Sequence, residues 1–392
     1  MKKLAYYISL LMIFASSWEN IALVEGIGRI SKVIGILLAC VWLVGVLHTG
    51  EIRRPRIFHI SVALFVTWSA ASLLWTVDVE ATLAMAKTFV QLLIMVFILW
   101  DLLRTTVDVE RAMQAYVLGG FVSIGSVAVN YWQSVEVMHQ RFAASGFNPN
   151  DFSLIVALGM PMAWYLAVLS DRANSSRILR MLNFIFLPAA LMGILLAASR
   201  GSLIAVSPFA ILLAVSLTRL SFWPRVLIGI GVGCLIVALP FIAPADSVNR
   251  LLTAGESISS GDMNGRVAIW KEGLQALTPH QLLGVGSGAF SSATPPNTKS
   301  AHNVFISILV EVGPIGLALF IWLLVLVGLA TTRLPRWQAW LWSVVLLIWL
   351  LGALVHTWEQ RKQTWLVFSF VTVSAAAVRK EEIEQNHDES QN

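Results

Sequence analysis

Charged residues are scarce in this sequence of 392 amino acids. Asp, Glu, Lys and Arg together make up 12% of it, whereas a soluble domain carries roughly a quarter. This scarcity excludes a soluble globular protein, a disordered chain and a nucleic-acid-binding domain. Cysteine is scarce too, because Cys40 and Cys234 are the only two in the chain. Both lie in apolar runs, which excludes a disulfide framework.

Hydrophobic residues, by contrast, make up 57% of the chain, and they occur in long runs. A membrane-spanning helix needs about 20 apolar residues. By this rule the sequence predicts an all-α polytopic membrane protein, with one integral membrane domain over 1–392 and about twelve transmembrane helices. Their approximate limits are 4–24, 33–48, 57–76, 82–103, 112–133, 152–169, 181–198, 202–218, 225–243, 304–330, 338–356 and 364–378. The first is interpreted as an uncleaved signal-anchor.

The positions of the cations predict the orientation of these spans. Lys and Arg collect in the cytoplasmic loops of membrane proteins, and with the amino terminus inside, 16 of the 27 cations lie in cytoplasmic segments. Both termini, including the tail 379–392, are therefore expected in the cytoplasm. The long polar connection 244–303 is expected on the outer face. Within it, helical spacing predicts an amphipathic helix that begins near Gly265, after a cap at Asp262 or Asn264.

Eleven cations are left outside the cytoplasmic segments by this topology. Arg is costly near hydrocarbon and generally faces protein or water there. Its guanidinium group matches the oxygens of a phosphate in a bidentate way. A histidine with an unperturbed pKa near 6.5 can act beside it as a general base. The residues that indicate a diphosphate held at the membrane surface are Arg141, Arg200, Arg250, Arg266 and His302.

Simpler interpretations of these residues stay open. An exposed loop residue such as Arg250 is usually just solvated, and Arg200 at a hairpin tip can extend to lipid headgroups. His302 and Asn303 can simply begin a helix.

Three further motifs have both a functional and a simpler interpretation. The run Gly284-Val285-Gly286-Ser287-Gly288 can cradle a phosphate, but no strand precedes it, so a plain turn is favoured. Glu311 within span ten is either a functional carboxylate or a hydrogen-bond partner of a neighbour. Asp78-Val79-Glu80 is the nearest outer-face carboxylate pair that could hold a cation, and a solvated turn is favoured there.

Four pieces of the sequence resemble the O-antigen ligase and O-antigen polymerase family of bacterial envelope glycosyltransferases. Each piece is weak alone, and their order over residues 141–316 is what makes the resemblance specific for the family. The pieces are Arg141 with Gly146-Phe147-Asn148-Pro149-Asn150; Ala198-Ser199-Arg200-Gly201-Ser202; Asn264-Gly265-Arg266 with Trp270, Pro279 and Leu283-Gly284-Val285-Gly286-Ser287-Gly288-Ala289-Phe290; and Ala301-His302-Asn303 with Glu311-Val312-Gly313-Pro314-Ile315-Gly316.

The resemblance implies a metal-independent glycosyltransferase of the GT-C type in the bacterial inner membrane, without a cofactor and with its site on the periplasmic face. Such enzymes transfer a glycan from undecaprenyl diphosphate to an acceptor sugar, which is the lipid A core for a ligase and another lipid-linked repeat for a polymerase. Some ligases have a second histidine where Ala301 stands here. Carried over by motif, the catalytic residues are Arg200, Arg266 and His302, and the substrate-binding residues are Arg141, Asn150, Arg250 and Asn303.

A ligase that uses the lipid A core is the leading prediction, and a polymerase of O-antigen or exopolysaccharide is the alternative. A transporter of lipid-linked sugars is a more distant one, because the chain shows no internal repeat and few charges near the middle of the bilayer. An anion-binding scaffold without chemistry also fits the Arg set, but it leaves His302 unused. Membrane lipid is an expected partner in every case.

Overall fold

The structure, a computed structural model, describes residues 1–24, 28–137, 141–170, 176–222, 225–226, 229, 233, 265–296, 298 and 300–391. Within these ranges the chain is almost entirely helical, with one two-stranded antiparallel hairpin near the amino terminus. The elements are α1 Lys2–Ser16, β1 Leu23–Val24, β2 Gly28–Arg29, α2 Ile30–Thr49, α3 Ile57–Ala71, α4 Val79–Leu102, α5 Thr106–Trp132, α6 Pro149–Trp164, α7 Arg177–Leu196, α8 Arg200–Val206, α9 Pro208–Ser216, α10 Arg266–Leu277, α11 Phe290–Ala293, α12 Val304–Thr331, α13 Arg336–Ala353 and α14 Lys362–Gln391.

Among the described residues, 9 helices are long and apolar enough to cross a membrane. The prediction of an all-α multi-pass membrane protein is therefore confirmed, while the count of twelve stays a prediction. Of the remaining three spans, most of 225–243 lies outside the described residues, and 364–378 falls within the long helix α14. The nine are Ile30–Thr49, Ile57–Leu74, Val79–Leu102, Thr106–Trp132, Pro149–Leu169, Arg177–Leu196, Arg200–Arg219, Val304–Thr331 and Arg336–Ala353.

The first predicted span, 4–24, differs from the structure, because α1 ends at Ser16. The reason lies at Glu19, whose buried carboxylate is bonded by Lys362 and, at 3.4 Å, by Arg29. A buried carboxylate is tolerated only with such partners. The chain turns after α1 and places Glu19 where these partners reach it.

The core of the bundle is built around α6. In the most apolar 18-residue stretch of the span Pro149–Leu169, which begins with α6, 94% of the residues are buried inside the protein, compared with 17% for α2 at the periphery. Helices α5, α7 and α13 pack directly on α6. The amino end of this central helix is capped by Asn148, whose side chain accepts a hydrogen bond from the Asn150 amide at 2.9 Å. Residues that begin α6 are therefore held rigidly at one end of the bundle.

Helix α12 is kinked in its first half, and the kink shapes the same end of the bundle. Gly313 has a φ of 71°, and Pro314 follows it. Proline has no N–H, so the carbonyl of Val310 loses its helical partner. The amide of Val285 donates to that carbonyl instead, at 2.9 Å. The loop before α11 is thereby pinned to the kink.

Candidate active site

Segments that are far apart in the sequence meet at the amino end of α6 and surround a polar cavity of about 370 Å³. They are the start of α6, the loop that leads into α11, the start of α12 and the connection between α13 and α14. Met85 of α4 completes the lining. The lining residues from these segments are Asn148, Asn150 and Asp151; Gly288, Phe290 and Ser291; Ser300, Ala301, His302, Ser307 and Glu311; and His356, Thr357, Gln360 and Arg361.

His302 lies exposed at the rim of this cavity, just before α12. Its φ is 48°, a left-handed conformation that a non-glycine residue seldom adopts. Three non-glycine residues with positive φ occur in the described chain: one is the predicted catalytic residue His302, and another, Ala198, lies two positions before the predicted catalytic residue Arg200. Such strain, about 1–3 kcal/mol per residue, tends to occur at functional sites.

The electrostatic surroundings of His302 favour its neutral form. Partial burial of the ring lowers its pKa below the usual value of 6.5, and the positive charge of Arg266 lowers it further. The carboxylate of Asp151 acts in the opposite direction. A neutral imidazole at the rim can accept a proton from a hydroxyl group, as a general base must.

Arg266 is the first residue of α10 and is half-buried. The predicted amphipathic helix is therefore present, while the predicted caps Asp262 and Asn264 lie outside the described residues. The indole of Trp270 donates to the carbonyl of Ala301 at 2.9 Å. This bond fixes α10 against the residue that precedes His302.

Arg200 begins α8, at the hairpin tip that the sequence predicts between the spans 181–198 and 202–218. Ser199 caps the helix by accepting a bond from the Ser202 amide at 3.4 Å. At Gly201, an added Cβ would lie 2.9 Å from Val355 and 3.6 Å from the imidazole of His356. The tip that carries Arg200 thus contacts the connection that lines the cavity.

Arg141 and Asn150 form a clamp behind this tip. Arg141 is buried, and its guanidinium donates to the carbonyl of Ala197 at 2.8 Å and to the side-chain oxygen of Asn150 at 2.7 Å. The hydroxyl of Ser199 donates to the same oxygen at 3.0 Å. These bonds fix the backbone that presents Arg200, and a direct contact of Arg141 with substrate stays a prediction.

Asn303 is buried next to His302, where it stabilises the start of α12. Its side-chain oxygen accepts from the amides of Phe305 and Ile306, and its amide group donates to the carbonyl of Leu354 at 3.2 Å. A substrate contact at Asn303 stays a prediction. The other predicted binding residue, Arg250, lies outside the described residues.

Asp151 and Arg361 belong to the cavity and did not stand out in the sequence. The carboxylate of Asp151 accepts from the indole of Trp358 at 2.8 Å and forms an ion pair with Arg361 at 2.5 Å. This pair joins the start of the central helix to the connection before α14. Arg361 is one of the eleven cations outside the predicted cytoplasmic segments, so the charge count alone did not single it out.

His356 is a second imidazole at the cavity, contributed from a distant part of the chain. It is only 4% exposed, and its Nε2 atom has no hydrogen-bond partner among the described residues. Burial lowers its pKa to about 4, and nearby Arg266, His302 and Arg361 add to the effect, while Asp151 opposes it. His356 is therefore neutral at physiological pH. Ala301 stands where some ligases have a second histidine, and the fold brings His356 to the same cavity from another part of the chain.

Two buried carboxyl groups flank Ser307 below the rim. The hydroxyl of Ser307 bonds to Glu359 at 2.8 Å and to Glu311 at 3.4 Å. Burial raises the pKa of Glu359, in the connection between the helices, to about 7. The second oxygen of Glu311 accepts from the amide of Gly288 at 2.6 Å. Glu311 therefore does bond a neighbour, and it also lines the cavity.

The backbone amides of the glycine-rich run 284–288 form hydrogen bonds within the protein. All five of its N–H groups donate to fixed partners, so they do not form an open phosphate cradle. The bonds are Gly284 to the His280 carbonyl at 2.9 Å, Val285 to the Val310 carbonyl at 2.9 Å, Gly286 to the Glu311 carbonyl at 2.8 Å, Ser287 to the Ser72 hydroxyl at 2.9 Å and Gly288 to the Glu311 carboxylate at 2.6 Å. The turn interpretation holds for this run.

In the part of the chain that the structure describes, no group of three or more His, Cys, Asp or Glu residues could hold a metal ion. Asp78, in the carboxylate pair weighed as a cation site, caps α4 and accepts from the hydroxyl of Ser292 at 2.6 Å. The metal-independent reaction stays a prediction of the family resemblance.

A signal for the connection before α14 was present in the sequence. His356, Glu359, Arg361 and Lys362 are four ionisable residues within a few positions between two apolar runs. The predicted topology puts this segment on the same face as the connection 244–303. A search for short outer loops rich in ionisable residues, in addition to the search for Arg at loop tips, would have identified this connection.

Comparison with known families agrees with this geometry. Residues 184–321 match the family model described as O-antigen ligase. This match confirms the resemblance to the O-antigen ligase and polymerase family, whose members are membrane enzymes of the glycosyltransferase kind. It covers Arg200, Arg266 and His302 but ends before the connection that contributes His356. No curated protein matches the chain.

Proposed function

We propose, on the basis of this match and of the site's geometry, that the protein is an O-antigen ligase-type glycosyltransferase. It transfers a glycan from undecaprenyl diphosphate to a sugar of the lipid A core, at the periplasmic face of the bacterial inner membrane. The observation that carries the proposal is His302, a neutral imidazole on strained backbone at the rim of a polar cavity, with Arg266 close enough to lower its pKa.

The reaction follows from these positions. An acceptor hydroxyl oxygen attacks the anomeric carbon of the glycan, and the bond between that carbon and the diphosphate oxygen breaks. The electron pair leaves with the lipid diphosphate, and the hydroxyl proton passes to His302. Arg200 and Arg266 stabilise the leaving diphosphate, since charge-assisted hydrogen bonds contribute about 1.5–3 kcal/mol each. Preorganised charge of this kind often supplies the largest share of catalysis.

Supporting residues keep this arrangement rigid. Arg141 and Asn150 hold the tip that presents Arg200, and Asn303 fixes the start of α12 beside His302. Rigid elements that orient a catalytic side chain are what efficient sites require. Arg250 is kept in the proposal as a donor contact on the strength of the family motif alone.

The test is complementation of a strain that lacks the gene, read by lipopolysaccharide gel electrophoresis. Arg200→Ala, Arg266→Ala and His302→Ala should each abolish attachment of O-antigen while the protein still inserts in the membrane. Lys271→Ala is the matched control, because Lys271 is an exposed cation on the same helix as Arg266. Normal ladders from the first three variants would refute the proposal.

The same gel separates the two members of the family. Loss of all O-antigen from the core in the deletion strain identifies a ligase. Retention of a single repeat unit on the core identifies a polymerase, the alternative that shares the donor chemistry. Both outcomes keep the site residues and change only the acceptor.

A further inference from the structure

The cavity beneath His302 carries no surplus of positive charge. Its described lining contains the carboxyl groups of Asp151 and Glu311 and one guanidinium, that of Arg361. Asp151 already binds that guanidinium. Both lining imidazoles, His302 and His356, have lowered pKa values and are neutral at physiological pH.

The cations assigned to the diphosphate lie outside this lining. Arg200 and Arg266 are not among the residues that surround the cavity, although Arg266 is close enough to affect both imidazoles. A diphosphate inside the cavity would meet the carboxylate of Asp151 and no guanidinium other than that of Arg361, which this carboxylate already binds. The cavity is therefore unsuited to the anionic part of the donor.

The lining suits a neutral, hydroxyl-rich group. Ser300 and Thr357 present hydroxyls that bond to each other at 2.7 Å, and Gln360 adds an amide with donors and an acceptor. Phe290 and Met85 provide apolar surface on which the carbon face of a sugar ring can lie. A volume of about 370 Å³ falls within the range of roughly 300–1,000 Å³ seen for small-molecule sites.

We propose that this cavity binds the acceptor sugar, while the diphosphate of the donor lies outside it against Arg200 and Arg266. This inference rests on the proposed function and divides its site into two subsites. His302 lies at the rim between them, where an acceptor hydroxyl in the cavity meets the anomeric carbon of the donor. Gln360 and Thr357, on the connection before α14, are then specificity residues for the acceptor.

Thiol labelling tests the division without requiring transfer. In a Cys40→Ser/Cys234→Ser background, Gln360→Cys reports on the cavity and Val267→Cys, next to Arg266, reports on the outer cations. Thr332→Cys, exposed at the distant end of α12, is the control reporter. Each variant is labelled with a small methanethiosulfonate reagent in the presence of core oligosaccharide released from lipopolysaccharide, or of undecaprenyl diphosphate.

Core oligosaccharide should protect Gln360→Cys, and undecaprenyl diphosphate should protect Val267→Cys, with no protection of Thr332→Cys. Protection of Gln360→Cys by the diphosphate instead would overturn the inference, and so would a lack of protection by either ligand. If the protein is active in transfer but undecaprenyl diphosphate protects Gln360→Cys, the proposed function is retained and the division into two subsites is refuted. Sugar protection in a protein without transfer activity would refute the function alone.

Kinetics give a second readout that a merely structural role would not produce. Gln360→Ala should raise the acceptor concentration for half-maximal transfer about three- to tenfold, the loss of one neutral hydrogen bond, and leave the corresponding donor concentration unchanged. Arg200→Lys should show the opposite split. An equal effect of Gln360→Ala on both substrates would contradict the assignment.

Discussion

The two segments that bring histidine to the cavity, 300–303 and 354–361, are bonded to each other yet differ in character. Ser300 bonds to Thr357 at 2.7 Å, and Asn303 donates to the carbonyl of Leu354 at 3.2 Å. The first segment exposes its histidine on left-handed backbone. The second segment holds its histidine, His356, buried in the wall of the cavity.

The difference in exposure between the two histidines separates two roles that a histidine side chain can have. An exposed imidazole can meet a substrate and change its protonation state during a reaction. A sealed imidazole whose pKa is lowered to about 4 stays neutral and shapes the wall. We therefore propose that His302 carries out the proton transfer and that His356 has a binding role.

Substitution of each histidine in turn should give the largest difference between the two segments. His302→Gln should slow transfer about 100- to 10,000-fold, the usual contribution of a general base. His356→Gln should slow it about three- to tenfold, as expected for one altered hydrogen bond. Initial rates of glycan transfer by purified variants, with thermal unfolding to verify folding, measure both. Equal losses would erase the distinction between the segments.

The acid limb of the pH profile of transfer tests whether His302 is the general base. Protonation of the base stops transfer, so the limb should lie below pH 6.5, because burial and Arg266 lower the pKa of His302. Arg266→Gln should retain only a residual rate of transfer with purified protein, and the acid limb of that residual rate should move to higher pH, because loss of the positive charge raises the pKa of His302. Asp151→Asn removes a negative charge and moves the limb to lower pH.

Lys271→Gln serves as the control for the pH profile, since Lys271 is exposed on the same helix as Arg266. Its limb should coincide with that of the unaltered protein. Shifts of the same sign in Arg266→Gln and Asp151→Asn would show that the base is not His302.

The smallest expected effect concerns stability of the second segment. The side chains of Arg361 and Asp151 are 26% and 17% exposed, whereas those of Lys380 and Glu384 are 57% and 62% exposed. Arg361→Gln leaves a partly buried carboxylate unpaired and should lower the free energy of unfolding by about 1–3 kcal/mol. Lys380→Gln should change it by less than about 1 kcal/mol. Denaturant unfolding in micelles compares them, and equal values would refute a structural role for Arg361.

Much of the fold could be predicted because apolar runs of sufficient length dictate membrane helices. The turn at Ser199-Arg200-Gly201 and the start of α10 near Gly265 also followed from local sequence. The end of α1 did not. Glu19 is held by Lys362, 343 residues away, and no local pattern reveals a partner at that distance.

In the site, too, some residues could be predicted from local sequence, whereas others depend on contacts between distant segments. His302 and Asn150, which the motifs single out, both line the cavity. Asp151, His356 and Arg361 become neighbours only when the connection before α14 folds against the start of α6. Their residue types were visible in the sequence, but the bonds that make them one wall depend on tertiary packing.

The most direct test of the central claim is the fate of the lipid diphosphate. Purified protein in proteoliposomes is given undecaprenyl-diphosphate-linked glycan and lipid A core, and released undecaprenyl diphosphate is counted against glycan transferred. We expect equal amounts of both products, with both lost in His302→Ala. Movement of the intact lipid-linked glycan across the bilayer without release of undecaprenyl diphosphate would contradict the proposed transfer reaction and identify a transporter.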